Sequence, residues 1–362
     1  LTISSDDTGE ATVPASVTFT SADWDTPQTV TVTGADEQIV DGDQVTAITI
    51  SVLDTASDDN FDDLADQTVS ATTTDDDVAG FTIVETDGST EVDESGTTDT
   101  FTVVLDAEPT SDVVLTISSD DTGEATVPAS VTFTSADWDT PQTVTVTGVD
   151  DDIIDGTITS TITVAVDAAN SDDNFDSVAD ETVSATTTDD DVAGFTIVET
   201  DGSTEVDESG TTDTFTIVLD AEPTEDVVLS VTSGDETEVT VNPGSITFTN
   251  ENWDTPQTIT TIGIDDVGII DGSQSSDITV AIVQEASDDN FDSVADQTVN
   301  ATTTDDDVPG FTIVETDGST EVDESGTTDA FTIVLDAEPT EDVVLSVTSG
   351  DETEVTVNPG SI

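Results

Sequence analysis

Residues 98–105 read Thr98-Asp99-Thr100-Phe101-Thr102-Val103-Val104-Leu105. Phe101, Val103 and Leu105 fall on one face and Thr100, Thr102 and Val104 on the other, which is the period-two signature of a half-buried β-strand. Working outward, the same alternation recurs at Val113, Leu115 and Ile117, at Val131 and Phe133, and at Val144 and Val146. It continues at Ile158, Ile162, Val164 and Val166, and at Val183 and Ala185, with an opening strand at 81–85. Seven short strands separated by Gly, Pro and Asp turns predict an all-β, Greek-key, immunoglobulin-like β-sandwich. Thr on the outward positions has high β propensity and adds no charge. Trp138, close to Pro141 in the connection between the fourth and fifth of these strands, is expected to lie as a lid over the end of the core.

The pattern is repeated along the chain. Residues 1–34 are identical to residues 115–148, and 80–102 to 194–216. Residues 310–362 repeat 194–246 with one change, Thr214 becoming Ala330. A period of well over 100 residues is longer than a solenoid repeat and has the size of one sandwich domain. Cutting after each Thr-Thr-Thr-Asp-Asp-Asp run divides the chain into a C-terminal part-module (1–77), two whole modules (78–191 and 192–307) and an N-terminal part-module (308–362). Connections as short as Val192-Ala193-Gly194 predict a stiff, extended rod, and the part-modules suggest a window onto a longer array.

Charge narrows the function. The 362 residues hold 85 acidic side chains and no Lys, Arg or His, a formal net charge of −85. A polyanion with no cationic patch cannot neutralise phosphates, which excludes nucleic acid and anionic membrane surfaces as partners. No apolar run is long enough to span a bilayer. Catalysis has little to work with, since His, Cys, Lys, Arg and Tyr are all absent. High charge also raises the question of disorder, but the apolar residues lie in β-branched alternating runs and reach 33% of the chain, which favours a fold.

The carboxylates are not evenly spread. If the seven strands run alternately down and up, one pole collects four acidic places. They are Asp93 and Glu94; Asp120 and Asp121; Asp150, Asp151, Asp152 and Asp155; and the closing Asp189, Asp190 and Asp191. Crowded carboxylates raise one another's pKa and destabilise the fold unless a cation joins them. Calcium, with six to eight oxygen ligands in flexible geometry, suits such a set. Magnesium prefers to keep its waters, and zinc or copper would seek His or Cys. The ordinary alternative is that these are solvated turns, because Asp and Gly are common turn residues. At the other pole Asp172, Asn174 and Asp176 have the spacing of a calcium loop without the glycine of an EF-hand.

These residues resemble the Calx-beta domain. The resemblance rests on Glu94-Ser95-Gly96, on 101–105, on Val131-Thr132-Phe133, on 142–148 followed by Asp150-Asp151-x-Ile153-x-Asp155, and on Asp189-Asp190-Asp191. The chain is most similar to the tandem form found in large bacterial surface adhesins. The resemblance implies a cluster of several Ca²⁺ ions per module, held by Glu94, Asp121, Asp150, Asp151, the Ile153 carbonyl, Asp155 and Asp189, Asp190 and Asp191. In the next module the matching set is Glu208, Asp235, Asp265, Asp266, Asp271, Asp305, Asp306 and Asp307. In the first part-module it is Asp7, Asp36, Glu37, Asp41, Asp75, Asp76 and Asp77. The third turn departs from the pattern, because Gly268 adds a residue to it. The expected role is a calcium-rigidified segment of an extracellular adhesin or surface filament, whose partners are calcium, further copies of the repeat and, through ion bridging, laterally associated chains. A halophile-type acidic protein with non-specific cations, and a calcium sensor, are the competing expectations.

Overall fold

Strands with one apolar edge are stable only when two sheets close over each other. The computed structural model describes every residue from Leu1 to Ile362, and within 78–190 it forms two such sheets. One has the strand order Ala125–Thr126, Gln142–Gly148, Thr98–Leu105, Phe81–Glu85. The other runs Ser130–Phe133, Val113–Ser119, Ile158–Val166, Glu181–Thr188, Thr90–Asp93. Partners distant in sequence pair antiparallel, Phe101 opposite Val144 and Ile117 opposite Val164, as Greek-key connections require. All seven expected strands are present. Thr90–Asp93 and Ala125–Thr126 are additional, and the first of them matters most: it runs parallel to Glu181–Thr188, with Thr90 opposite Ala185 and Asp93 opposite Thr188.

Between the sheets Phe101, Phe133 and Phe175 are fully buried among Val103, Leu115, Val144, Val146, Ile162 and Val164. Truncating any of these phenylalanines to Ala would cost about 3–5 kcal/mol. Trp138 packs against this cluster, and its carbonyl accepts from the Leu105 N–H at 3.1 Å, as a lid should. Residues 192–307 repeat the arrangement around Phe215, Phe248 and Phe291, with Trp253 as the lid.

By contact density the chain forms two units. One comprises Leu1–Asp151 and Gly156–Asp190; the other comprises Asp152–Asp155 and Asp191–Ile362. The first therefore contains the stretch 1–77, in which Thr2–Ser5, Gln44–Ser51 and Gln67–Thr73 form a three-stranded sheet. The second contains 308–362, where Phe311–Glu315 pairs with Phe331–Leu335.

No helix is long and apolar enough to cross a membrane. The Asp-x-Asn-x-Asp spacing resolves into local structure. Asp172 is buried, accepts from Thr110 Oγ1 (2.6 Å) and Ser111 N (2.8 Å), and caps the short 3₁₀ turn Asp173–Phe175 through Asn174 N (3.0 Å). Those bonds hold its carboxyl below the usual range against the opposing effect of burial. Asp288 repeats this with Thr224, Glu225 and Asn290.

Candidate metal centre

The parallel strand pair decides which carboxylates meet. In the second unit Thr204–Asp207 runs alongside Gln297–Thr304, with Asp207 opposite Thr304. The next residue, Glu208, continues the ladder by donating its N–H to the Thr304 carbonyl at 3.1 Å. Glu208 is thereby set beside the first residue of the Asp triplet. The approach is close: a Cβ on Gly263 would stand 2.0 Å from the Asp207 carbonyl oxygen, so the crossing strand needs glycine there.

The triplet itself keeps the alternation of the strand it follows. Asp305 and Asp307 are half-buried and Asp306 is exposed. Between the strands Gln257–Gly263 and Gln274–Ile282, the connecting loop supplies Asp266 and Asp271. It closes on Gly272, whose φ of +78° suits glycine and whose N–H donates to Asp305 Oδ2 at 2.9 Å. Asp305 Oδ1 also accepts from Asp307 N at 2.8 Å, and these backbone donors hold the Asp305 carboxyl below its ordinary value. Oxygens of Glu208, Asp266 and Asp271 lie within 4.8 Å of one another, as do oxygens of Glu208, Asp305 and Asp307. Two ligands on opposite sides of a calcium ion, each about 2.4 Å from it, would be separated by about that distance.

Electrostatically the group has no compensating positive charge among its side chains. Glu208 is 1% exposed, and neither of its carboxylate oxygens has a hydrogen-bond partner. Burial first, and then Asp266, Asp305, Asp271 and Glu238, push it up to about 7. Glu238 is raised by burial and then by Asp271, Asp235, Asp266 and Asp305; Asp266 is raised by burial and then by Asp271, Asp307, Asp305 and Asp265. A buried carboxylate with no donor is costly, and this chain holds no basic side chain that could supply one. The donor set is all oxygen and carries several negative charges, which fits a hard divalent cation.

The first unit builds related groups. Glu94 donates its N–H to the Thr188 carbonyl at 3.2 Å and is 1% exposed. Burial, then Asp189, push it up to about 7; Asp151 and Glu124 add to the rise, and the Asp190 N–H works against it. Gly156 N donates to Asp189 Oδ2 at 2.8 Å, as Gly272 does to Asp305. Asp150 and Asp190 are exposed. Ile153, Asp155 and Asp191 belong to the second unit. Nearer the N-terminus, oxygens of Glu10, Glu37 and Asp41 lie within 4.8 Å of one another. A cleft there is lined by these residues together with Asp75, Asp76 and Asp77. Glu37 is raised by burial and then by Glu10, Asp41 and Asp7; Asp77 is raised by burial and then by Asp75, Asp76 and Asp36.

Asp235, Asp121 and Asp7 are engaged in their own turns and not at the centre of these groups. Asp235 is exposed, and its Oδ1 accepts from Thr237 N (3.0 Å) and Thr237 Oγ1 (2.6 Å). Asp121 Oδ1 accepts from Gly123 N and Asp7 Oδ1 from Gly9 N, each closing its own turn. The buried carboxylates of these turns come three residues later, at Glu10, Glu124 and Glu238. A signal was available: each of these Glu residues immediately precedes the first apolar residue of a short strand, Ala11, Ala125 or Val239. Asp265 and Asp306 form an outer pair on the exposed side, where Asp265, then Asp307 and Asp207, help burial raise Asp306. Asp120, also on the acidic pole, uses Oδ1 to accept from Thr161 N at 2.6 Å.

No family model matches the chain, and no curated protein matches it. Among solved structures it is similar to CBD12 from CALX1.2, with 14% identity over 61% of this chain and 99% of that one and a TM-score of 0.26. It is similar to the calcium binding domain CBD12 of CALX1.1, with 14% identity over 55% and 80% and a TM-score of 0.26. Domains 4–9 of the surface layer protein SbsC match 87% of this chain and 40% of that one, with 16% identity and a TM-score of 0.25.

Proposed function

We propose that this chain is a calcium-binding structural segment of an extracellular surface protein, an adhesin or filament, built from repeats bounded at 77, 191 and 307. Calcium sits at the acidic pole of each repeat, with Glu94 and Glu208 as the inner ligands. In the second unit Asp266, Asp271, Asp305 and Asp307 stand around Glu208, with Glu238 behind them. The observation that carries this reading is the Glu208 carboxylate, buried, without a hydrogen-bond donor, and surrounded by four further acids.

Bound cations would replace the protons that Glu94 and Glu208 otherwise hold near neutral pH and would cancel the repulsion among their neighbours. Extracellular calcium modules bind at roughly 0.1–1 mM. At ten times the dissociation constant each ion adds about 1.4 kcal/mol, and several per chain are significant against a domain stability of about 5–15 kcal/mol. The role is stiffening rather than catalysis. The test is calorimetric titration of the whole chain with calcium, with thermal melting in calcium, magnesium and sodium at one ionic strength. Saturable binding with a calcium-specific rise in melting temperature is expected. Equal stabilisation by every salt would overturn the proposal and leave an acidic surface with non-specific counterions.

A further inference from the structure

The loop that carries Asp36, Glu37 and Asp41 into the acidic group also carries Gln38, Ile39 and Val40 away from it. Within the first unit Val40 packs against the core of 78–190. Val40 N donates to the Glu108 carbonyl (3.0 Å), Glu108 N donates to the Gln38 carbonyl (2.7 Å), and Ile39 bridges Glu108 in parallel fashion. The Asn174 amide then donates to the Val40 carbonyl at 2.7 Å. Within the second unit the same contact is made by different residues. Ile154 packs against the core, Ile154 N donates to Glu222 O (3.3 Å), Glu222 N donates to Asp152 O (2.6 Å), and Asn290 donates to Ile154 O (2.9 Å). A third example pairs Ile269 with Glu338, whose N–H donates to the Gly268 carbonyl.

Three loops of different sequence, one of them longer by Gly268, therefore seat on one kind of surface. Every bond is made by main chain or by the asparagine amide, and in the first two loops the anchor is a single β-branched side chain, Val40 or Ile154. No carboxylate oxygen takes part, so the contact stands apart from the cation reading. Main-chain bonds beside one apolar anchor are terms on which an extended segment is recognised. Donor and acceptor are different surfaces, so the contact is head-to-tail and open-ended.

We propose that this seat, made by the Glu108 backbone, the Asn174 amide and the apolar surface under Val40, is a recognition surface for the loop as a segment, and that a second copy of the chain can supply it. Covalent connection only raises the effective concentration of the loop, to about the millimolar range for short connections. Between copies the affinity is correspondingly weak, and because both partners are acidic it increases with salt as charges further apart than about 8–10 Å are screened.

The test uses the whole chain carrying Val40→Asp, which empties the seat, and a blocked synthetic peptide of residues 34–44 as the probe. The Glu108 backbone and Asn174 side-chain amide resonances should leave their wild-type positions in the variant. Millimolar peptide should return them saturably, at lower concentrations in 1 M than in 0.1 M sodium chloride. A peptide with Asp in place of Ile39 and Val40 should do nothing. Unmoved resonances in the variant, or no response to peptide up to about ten times the millimolar scale, would overturn the proposal. If Val40→Asp does not fold, Asn174→Ala leaves the core intact; hydrogen exchange at Glu108 N–H should then accelerate about fivefold, and an unchanged rate would equally overturn it.

Discussion

Replacing Glu208 with Gln should change stability in opposite directions with and without calcium. Without a cation, burial and then Asp266, Asp305, Asp271 and Glu238 raise this carboxyl from 4.5 to about 7. One pKa unit is about 1.4 kcal/mol, so ionising Glu208 in the folded chain costs at most about 3.5 kcal/mol. The neighbouring acids stand at a solvated rim that screens them, and about 1–2 kcal/mol is the working figure. Gln keeps the shape and removes the charge. At pH 8 in chelator Glu208→Gln should therefore be more stable than the wild type by that amount. With calcium at ten times its dissociation constant the wild type gains about 1.4 kcal/mol per ion, or about 2.8 kcal/mol for one ion in each of the two groups that share Glu208, and the variant, having lost that shared carboxylate, forgoes most of it. The variant should then be the less stable protein. Urea unfolding followed through Trp253, which packs against the same core, reads both conditions. Equal destabilisation in chelator and in calcium would refute the reasoning, because Glu208 would then be holding the fold and not a cation.

The pH dependence follows from the same groups. Glu94 and Glu208 bind protons more tightly folded than unfolded, so their contribution to stability is full below about 4.5 and lost as pH rises through about 7. The melting temperature in chelator should fall across that window, and saturating calcium should flatten the slope. Asp288→Ala should cost about 3 kcal/mol equally with and without calcium, since it strips the donors Thr224, Glu225 and Asn290 of their acceptor. Gly148→Ala should cost about 3 kcal/mol, because its Cβ would stand 2.0 Å from the Asp93 carbonyl oxygen; denaturant melts measure both changes. Calcium affinity measured by titration should change less than about twofold in Asp235→Ala, whose carboxylate closes a turn, and fall about tenfold in Glu238→Gln.

The sheets were legible because burial on one face writes itself into alternate residues. Phe101, Val103 and Leu105 name the core side of one strand without help from the rest of the chain, and all three are buried. Thr90–Asp93 escaped because Thr-Glu-Val-Asp has one strong apolar residue, Val92, and owes its conformation to a parallel neighbour nearly a hundred residues later. Ala125–Thr126 is shorter still and exists only as an edge paired to Thr147 and Gly148. Propensity cannot announce strands that tertiary pairing creates.

For the acidic pole, strand parity predicts which turns meet but not which oxygens are already engaged. Asp235 and Glu238 are equally acidic in the sequence. Only the fold shows that Asp235 turns back on Thr237 while Glu238 is carried inward by the strand that begins at Val239. The triplet is the instructive contrast, because there alternation does extend into the site. Asp305 and Asp307 continue the inward face of Val299, Ala301 and Thr303, all buried, while Asp306 continues the outward face of Thr304. Strand geometry thus aims two carboxylates of the three at Glu208, and the parallel ladder brings Glu208 to meet them. A carboxylate in that position gains nothing from the core it caps. On the proposed function, its burial is that of a ligand to the cation that would complete the group.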